Sequence, residues 1–197
     1  EEVKPLLAAQ KIDVVFDDAL TPGDRDYTAT LTKIKAAGPE AIIFTGYYPE
    51  AALLLRQKKD MGWPVPIIGG DATNNTSLVD IAGKEAAAGY YFISPPGPGD
   101  LKSARSLALI KVFQEKENRG LPSSVWAMMA GDAFGVLAQA LSAGTDASGP
   151  ALADYLHQTL KDYDGMTGTI SFNEKGDRLG DVYRLYQVGQ DGAFVLK

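Results

Sequence analysis

The chain has 197 residues, of which 45% are hydrophobic and 22% charged, and its mean hydropathy of −0.10 is typical of a globular protein rather than a disordered or membrane-embedded one. Its formal net charge is −6 and its basic residues are scattered, which argues against a nucleic-acid partner. The chain contains no cysteine, so catalysis by a thiol, a disulfide framework and cysteine metal sites are excluded.

The first half of the chain alternates short apolar runs with helical patterns. Residues 1–10 have the spacing of the end of a helix, and residues 11–16 are predicted as a strand. A helix follows, capped by Asp24 or Asp26. The same unit then repeats, with strands 41–45, 66–69 and 90–94 and helices 49–61 and 76–82. Because short buried strands alternate with amphipathic helices, we expect an α/β fold with a parallel-rich sheet covered by helices.

The pattern changes at residues 95–100, the densest Pro/Gly run of the chain, which we predict to be a linker. Three helical segments follow, at residues 101–118, 123–142 and 150–162. The second is apolar nearly all round, so we expect it to be deeply buried. The remaining residues predict a turn into a short strand at 165–172, a turn at 173–177, and strands at 182–188 and 194–196.

Polar side chains follow two neighbouring strands of the predicted sheet. The first strand ends at Phe44-Thr45-Gly46, and Tyr47-Tyr48 come directly before a helix that opens with Pro49-Glu50. Proline is tolerated in the first helical turn, and glutamate suits the positive end of the helix dipole. The second strand ends in Gly69-Gly70, and Asp71 follows. Open α/β sheets bind ligands at the carboxyl ends of their strands, so we predict that one carboxylate and two phenols face one crevice.

The same strand ends carry a family resemblance. The chain closely resembles the periplasmic Leu/Ile/Val-type (branched-chain) amino-acid-binding proteins of ABC transporters in Gly46-Tyr47-Tyr48-Pro49-Glu50, Leu55-Arg56-Gln57, Gly69-Gly70-Asp71 and Ile81-Ala82-Gly83. Further matches are Pro22-Gly23-Asp24 before Tyr27, the run Gly165-x-x-Gly168-x-Ile170-x-Phe172, and Gly176-Asp177. The resemblance therefore covers essentially the whole chain.

The resemblance implies a periplasmic-binding-protein-like fold of two lobes joined by crossovers. It assigns residues 1–94 and 182–197 to the second ligand-binding lobe, residues 101–177 to the later part of the first lobe, and residues 95–100 and 178–181 to hinge crossovers. The amino-terminal part of the first lobe resembles nothing in these residues. We therefore expect the chain to be the C-terminal portion of a binding protein, with uncovered apolar helix faces within residues 101–180. The missing N-terminal part of the same protein or a second chain is expected to cover them.

The resemblance also implies roles for Asp71 and Tyr47. In the family an acidic residue at the position of Asp71 accepts the ligand's α-ammonium group, and the tyrosine that matches Tyr47 lies beside it. Most relatives carry glutamate there, so the carboxylate of Asp71 is retracted by one methylene, which leaves room for alanine-like, GABA-like or other small aliphatic zwitterions. From the sequence alone, a turn former or helix cap is the more common role of such an aspartate.

Three further candidate ligand-binding residues have competing interpretations. Adjacent residues of an extended chain point to opposite faces, so Tyr48 is interpreted as a core or cleft-rim aromatic. Ser124 matches a family position that often carries a ring near the ligand, but it is better interpreted, with Ser123, as the cap of the long helix. Trp126 is more often a core residue than a ligand contact in a helix this apolar.

The sequence carries no signature of an enzyme or a metal site. His157 is the only histidine, and residues 173–177 lack the later ligands of a calcium loop. Neither a nucleophile elbow, nor a phosphate loop, nor a dinucleotide-binding glycine run is found. We therefore expect no catalysis, no cofactor and no metal.

The implied function is that of a periplasmic or otherwise extracytoplasmic solute-binding protein, which clamps a small amino acid and presents it to an ABC permease of the inner membrane. The alternative is a ligand-sensing module of a regulator or receptor with the same two-lobed fold. Members of the family are exported, and no signal peptide is visible at Glu1, so we expect these residues to be internal to a longer precursor.

Overall fold

The computed structural model describes residues 3–117, 120–121, 124–180 and 182–197. The chain divides into two compact units, Glu1–Ile93 with Leu185–Lys197, and Ser94–Arg184. The assignment of these residues to two lobes and the hinge role of residues 95–100 and 178–181 stay predictions. Asp181, the last residue of the predicted second crossover, lies outside the described residues.

A five-stranded sheet follows the predicted alternation. Its strands are β1 (Ile42–Phe44), β2 (Ile67–Gly69), β3 (Tyr91–Ser94), β6 (Arg184–Val188) and β7 (Phe194–Leu196), in the order β1-β2-β3-β6-β7. The β1–β2 and β2–β3 pairs are parallel, and the β6–β7 pair is antiparallel. The expected parallel-rich α/β sheet is therefore confirmed.

Local signals account for several helix ends of the first unit. Its helices are α1 (Val3–Ala9), α2 (Thr28–Ala37), α3 (Tyr48–Asp60), α4 (Ser77–Ala82) and α5 (Lys84–Ala87). The predicted cap of α2 by Asp24 or Asp26 is wrong, since its N-cap is Tyr27 without a side-chain capping bond. Helix α2 ends at Gly38, whose φ of 68° is the left-handed conformation that glycine adopts readily. Helix α3 has Glu50 in its first turn and Lys58 and Lys59 in its last, which suits the helix dipole at both ends.

Aromatic side chains fill much of the core of this unit. Phe92 is fully buried, and its ring stacks on Tyr90 at 6.1 Å and on Tyr186 at 5.2 Å between centroids. Phe194 meets the same ring edge-on at 4.8 Å. Such pairs contribute about 0.5–1.5 kcal/mol each beyond the burial of their surface.

Tyr90 also explains why β2 ends in a glycine. A Cβ atom on Gly69 would overlap the phenol oxygen of Tyr90 and would lie 2.8 Å from Oγ1 of Thr73. Both neighbours are fully buried and cannot move into solvent. The next glycine differs, because a Cβ atom on Gly70 would meet nothing within 4 Å and its φ of −90° suits any residue. Of these two glycines, only Gly69 is required by the close approach of a side chain.

The strand predicted at residues 11–16 is wrong. These residues form no strand, and Ile12, Val14 and Val15 are exposed. Their alternating pattern is real, but a strand needs a neighbour for its backbone hydrogen bonds. Strand β1 is at the end of the sheet order, so this stretch pairs with no described strand.

The described part of the second unit consists of helices and a hairpin. Its elements are α6 (Ala104–Glu117), α7 (Trp126–Ser142), α8 (Gly149–Asp154) with a π-helical turn at Tyr155–Thr159, and the antiparallel strands β4 (Tyr163–Gly165) and β5 (Gly168–Ile170). Strand β4 was not predicted, since the sequence Tyr-Asp-Gly has no strand pattern. The predicted turn at residues 173–177 is present, closed by a bond from the Asn173 amide to the Asp177 carbonyl.

A buried carboxylate joins α7 to this hairpin. Asp132 accepts hydrogen bonds from the amides of Met166 and Thr167, at 2.6 and 2.9 Å, and from the Thr167 hydroxyl at 2.6 Å. Arg178 in turn donates to the same hydroxyl at 2.7 Å and to the carbonyls of Thr167 and Thr169 at 3.1 and 3.0 Å. Helix α7, the hairpin and the start of the predicted second crossover therefore form one network.

The deep burial expected for α7 is wrong on one face of the helix. Met128, Val136 and Ala140 are buried, but four large apolar residues on the other side are exposed: Trp126, Phe134, Leu137 and Leu141. Their spacing places them along one stripe, which we call the α7 face. This face agrees with the expectation of uncovered helix surfaces within residues 101–180. Across the described residues, no helix is both long and apolar enough to cross a membrane.

We predict that Gly69→Ala lowers the free energy of unfolding by about 1–3 kcal/mol, because the new methyl group displaces Tyr90 or the backbone of β2. Gly70→Ala is the matched control, and it should leave stability unchanged or raise it by up to about 1 kcal/mol. Chemical denaturation of both variants measures the difference. An equal loss in the two variants would contradict the packing of Tyr90 against Gly69.

Candidate functional site

The candidate site lies at the carboxyl ends of β1 and β2. Phe44 of β1 pairs with Gly69 of β2 in parallel register, so the segments after both strands leave the sheet at the same edge. Tyr47 and Tyr48 follow β1, and Asp71 follows β2. The structure therefore brings these three candidates to one edge of the first unit.

The two adjacent tyrosines have different surroundings. Tyr47 precedes α3 with an extended backbone, φ −91° and ψ 167°, and its side chain is 69% exposed. Tyr48 is half-buried and packs against the hydrophobic core of the first unit. The packing agrees with the interpretation of Tyr48 as a core or rim aromatic, and Tyr47 is the phenol presented to solvent.

Asp71 is half-buried and begins a short 3-10 helix, Asp71–Thr73. Its carbonyl accepts a hydrogen bond from the Asn74 amide at 2.9 Å. The carbonyl of Gly70, just before it, accepts bonds from the Thr73 amide at 3.1 Å and the Thr73 hydroxyl at 2.7 Å. These bonds fix the backbone on both sides of Asp71, so Asp71 acts as a turn residue. This role is compatible with a contact between its side chain and a ligand.

Tyr90 and Thr73 support this turn, although neither belongs to a motif that the sequence predicts for the site. Burial raises the pKa of the Tyr90 phenol to about 12, and the neighbouring Thr73 hydroxyl acts in the opposite direction. The Thr73 hydroxyl is therefore a polar neighbour of Tyr90 Oη, although no hydrogen bond of standard geometry reaches that oxygen from the described residues. The one sequence signal for this packing is the pair of glycines at the end of β2.

The Pro22-Gly23-Asp24 motif and the residues after it are held against α3. The amide of Gly23 donates to Glu50 Oε1 at 3.2 Å. Gln57 accepts a bond from the Tyr27 amide at 2.7 Å and donates to the Arg25 carbonyl at 2.9 Å. The motif therefore fixes a loop beside the helix that Tyr47 precedes.

Ser124 and Trp126 belong to the second unit. Ser124 is half-buried, and its Oγ accepts a bond from the Trp126 amide at 3.2 Å. The N-cap of α7 is Val125, without a side-chain capping bond, so the predicted role of Ser124 as the cap is wrong. Ser123, predicted to share that role, lies outside the described residues. The interpretation of Trp126 as a core residue is wrong: its side chain is 44% exposed, because it begins the uncovered α7 face.

Two surface cavities of the protein lie elsewhere. One of about 310 Å³ is lined by residues of α3, α4 and α5, and one of about 420 Å³ lies beside the β4–β5 hairpin and Arg178. Neither includes Tyr47 or Asp71, since an open sheet edge does not enclose a volume. In the described part of the chain, no group of three or more His, Cys, Asp or Glu side chains could hold a metal ion.

Comparison with known proteins identifies relatives over nearly all of the chain. Residues 1–193 match the family model described as periplasmic binding protein. The leucine-, isoleucine-, valine-, threonine- and alanine-binding protein of Pseudomonas aeruginosa is 30% identical over 190 residues, which cover 96% of this chain and 49% of that protein. A Leu/Ile/Val-binding protein of Rhizobium johnstonii is 33% identical over 185 residues, or 93% of this chain and 48% of that protein. The chain thus spans about half the length of these curated relatives.

A solved structure agrees with these matches. The branched-chain amino acid transporter substrate-binding protein of Streptococcus pneumoniae, in complex with isoleucine, is 29% identical and superposes with a TM-score of 0.78. The match covers 99% of this chain and 56% of that one. The resemblance drawn from the strand-end motifs is confirmed, and the chain belongs to the periplasmic binding protein family.

Proposed function

We propose that this chain is part of an extracytoplasmic solute-binding protein that captures a small amino acid and delivers it to an ABC permease of the inner membrane. The observation that carries the proposal is the placement of exposed Tyr47 and half-buried Asp71 at the ends of two paired strands. The names of the relatives support the ligand class, since the Pseudomonas aeruginosa protein is named for aliphatic and small amino acids. The Streptococcus pneumoniae structure contains isoleucine.

In this proposal Asp71 accepts the ammonium group of the ligand. An ammonium group that leaves water needs an opposite charge and hydrogen-bond acceptors, and a carboxylate supplies both. Tyr47 adds a neutral hydrogen bond at the same sheet edge. The ligand's carboxylate requires several N–H or hydroxyl donors, and in the family these come from the amino-terminal half of the first lobe.

The side chain of Asp71 limits which ligands fit. An aspartate places its carboxylate one methylene closer to the backbone than the glutamate of most relatives. A ligand must therefore approach the turn more closely, or carry its ammonium on a longer arm. We propose a small aliphatic amino acid or a GABA-like zwitterion as the ligand.

The proposed mechanism is hinge closure without chemistry. A ligand that contacts both lobes favours the closed state by the difference between its affinities for the closed and open states. We place the hinges at residues 95–100 and 178–181, near the two points at which the chain passes from one unit to the other. The protein then makes and breaks no covalent bond and requires no cofactor, so we propose a binding protein rather than an enzyme.

We expect Asp71→Asn, in the whole protein that carries this chain, to weaken ligand binding by about 2–5 kcal/mol, the usual cost of leaving one partner of a buried charge pair alone. Calorimetry against the twenty amino acids and GABA first identifies the ligand and then measures the loss. Asp80→Asn, the same change at an exposed position on α4, is the matched control and should leave affinity unchanged. An unaltered affinity in Asp71→Asn removes Asp71 from the site.

Tyr47→Phe should weaken binding by about 1–2 kcal/mol, because one neutral hydrogen bond is lost while the ring remains. Tyr48→Phe removes the same atom from the neighbouring residue that packs on the core, and should change affinity little. The same calorimetric titration compares the two variants. No effect for Tyr47 with a large effect for Tyr48 would show that the wrong phenol was assigned.

The isolated 197-residue chain should bind free amino acids negligibly and should self-associate. It lacks the proposed donors for the ligand's carboxylate, and the α7 face leaves large apolar side chains in water. Titration calorimetry and sedimentation measure the two properties. The double substitution Phe134→Glu and Leu137→Lys should reduce association. A well-folded monomer with micromolar amino-acid affinity is incompatible with this account of the site.

A further inference from the structure

A buried hydroxyl group lies next to the Asp71 turn. Tyr90 is 1% exposed, and its phenol oxygen has no hydrogen-bond partner among the described residues. Burying a hydroxyl without a partner costs free energy, and phenylalanine would fill the same space without that cost. The hydroxyl is thus the feature of Tyr90 that the packing of the aromatic core does not explain.

The position of the oxygen points to a different role. The phenol oxygen occupies the place that the Cβ atom of any other residue at position 69 would take. The phenol therefore lies directly against the backbone of Gly69. The Thr73 hydroxyl lies 2.8 Å from that same space and donates to the Gly70 carbonyl at 2.7 Å. Two buried hydroxyls thus contact the two residues that precede Asp71.

The Tyr90 ring is itself held firmly. It stacks on Phe92, which stacks on Tyr186. The Tyr90 backbone donates to the Ala87 carbonyl at 3.0 Å and accepts a bond from the Val188 amide at 2.9 Å. The phenol therefore blocks movement of the Gly69-Gly70 segment towards the core.

We propose that Tyr90, with Thr73, is a positioning residue for Asp71. Its phenol fixes the backbone from which the short aspartate side chain reaches the ligand, and so contributes to the choice of ligand. An aspartate has one rotatable bond fewer than a glutamate and cannot compensate for a displaced backbone. This inference rests on the proposed function, in which Asp71 binds the ammonium group, and Tyr90 itself does not touch the ligand.

The first test is Tyr90→Phe in the whole protein. The probe is whichever of leucine, isoleucine, valine, alanine and GABA the unaltered protein binds most tightly. We expect three- to thirty-fold weaker binding, together with an unchanged or higher melting temperature. Tyr186→Phe removes the same atom from another buried tyrosine of the aromatic cluster and should leave affinity unchanged. Unaltered affinity in Tyr90→Phe, or an equal loss in Tyr186→Phe, overturns the proposal.

A second test separates positioning from a general effect on the fold. In an Asp71→Glu background the longer side chain can adjust, so Tyr90→Phe should weaken binding less than two-fold. The same loss in both backgrounds contradicts a role through Asp71.

Thr73→Val should weaken binding and Thr73→Ser should not, which keeps the proposal testable if Tyr90→Phe folds poorly. If Asp71→Asn keeps full affinity, the proposed function fails; if only the Tyr90 and Thr73 variants keep it, the positioning role alone fails.

Discussion

The parallel register between β1 and β2 determines which side chains can share a site. Phe44 lies opposite Gly69, so the residues after both strands leave the sheet together. A shift of one residue in this pairing would turn every side chain of one strand to the opposite face. The location of the candidate site thus depends on the backbone hydrogen bonds of the sheet. The polar groups at the strand ends determine which ligands can bind there.

Features set by neighbouring residues were predictable from the sequence. The start of α3 at Tyr48-Pro49, the glycine end of α2 and the different exposures of Tyr47 and Tyr48 all depend on interactions within a few residues. The contact of Tyr90 with Gly69 was not predictable in this way. It joins residues far apart in the chain, and it exists only because β2 and β3 pair and bring the phenol over the end of β2.

Several of the predictions that proved wrong concern which residues are buried, although the periodic patterns behind them are present in the sequence. Residues 11–16 have the alternation of a strand, and α7 has the composition of a buried helix, yet both expose apolar side chains. Apolar composition indicates that a surface is covered by something, but not that the covering residues lie within the same unit. Trp126 was misplaced for the same reason, since it lies on the α7 face.

The network around Asp132 depends on a single hydroxyl group. Arg178 is held to the β4–β5 hairpin by three hydrogen bonds, and the hairpin is held to α7 by Asp132. The Thr167 hydroxyl donates to Asp132 and accepts from Arg178, so it connects the carboxylate on α7 with the guanidinium group that follows the hairpin. A methyl group in its place would leave an acceptor on Asp132 and a donor on Arg178 without this bond. The cost of losing this one oxygen is therefore shared by two elements of the second unit that do not bond to each other directly.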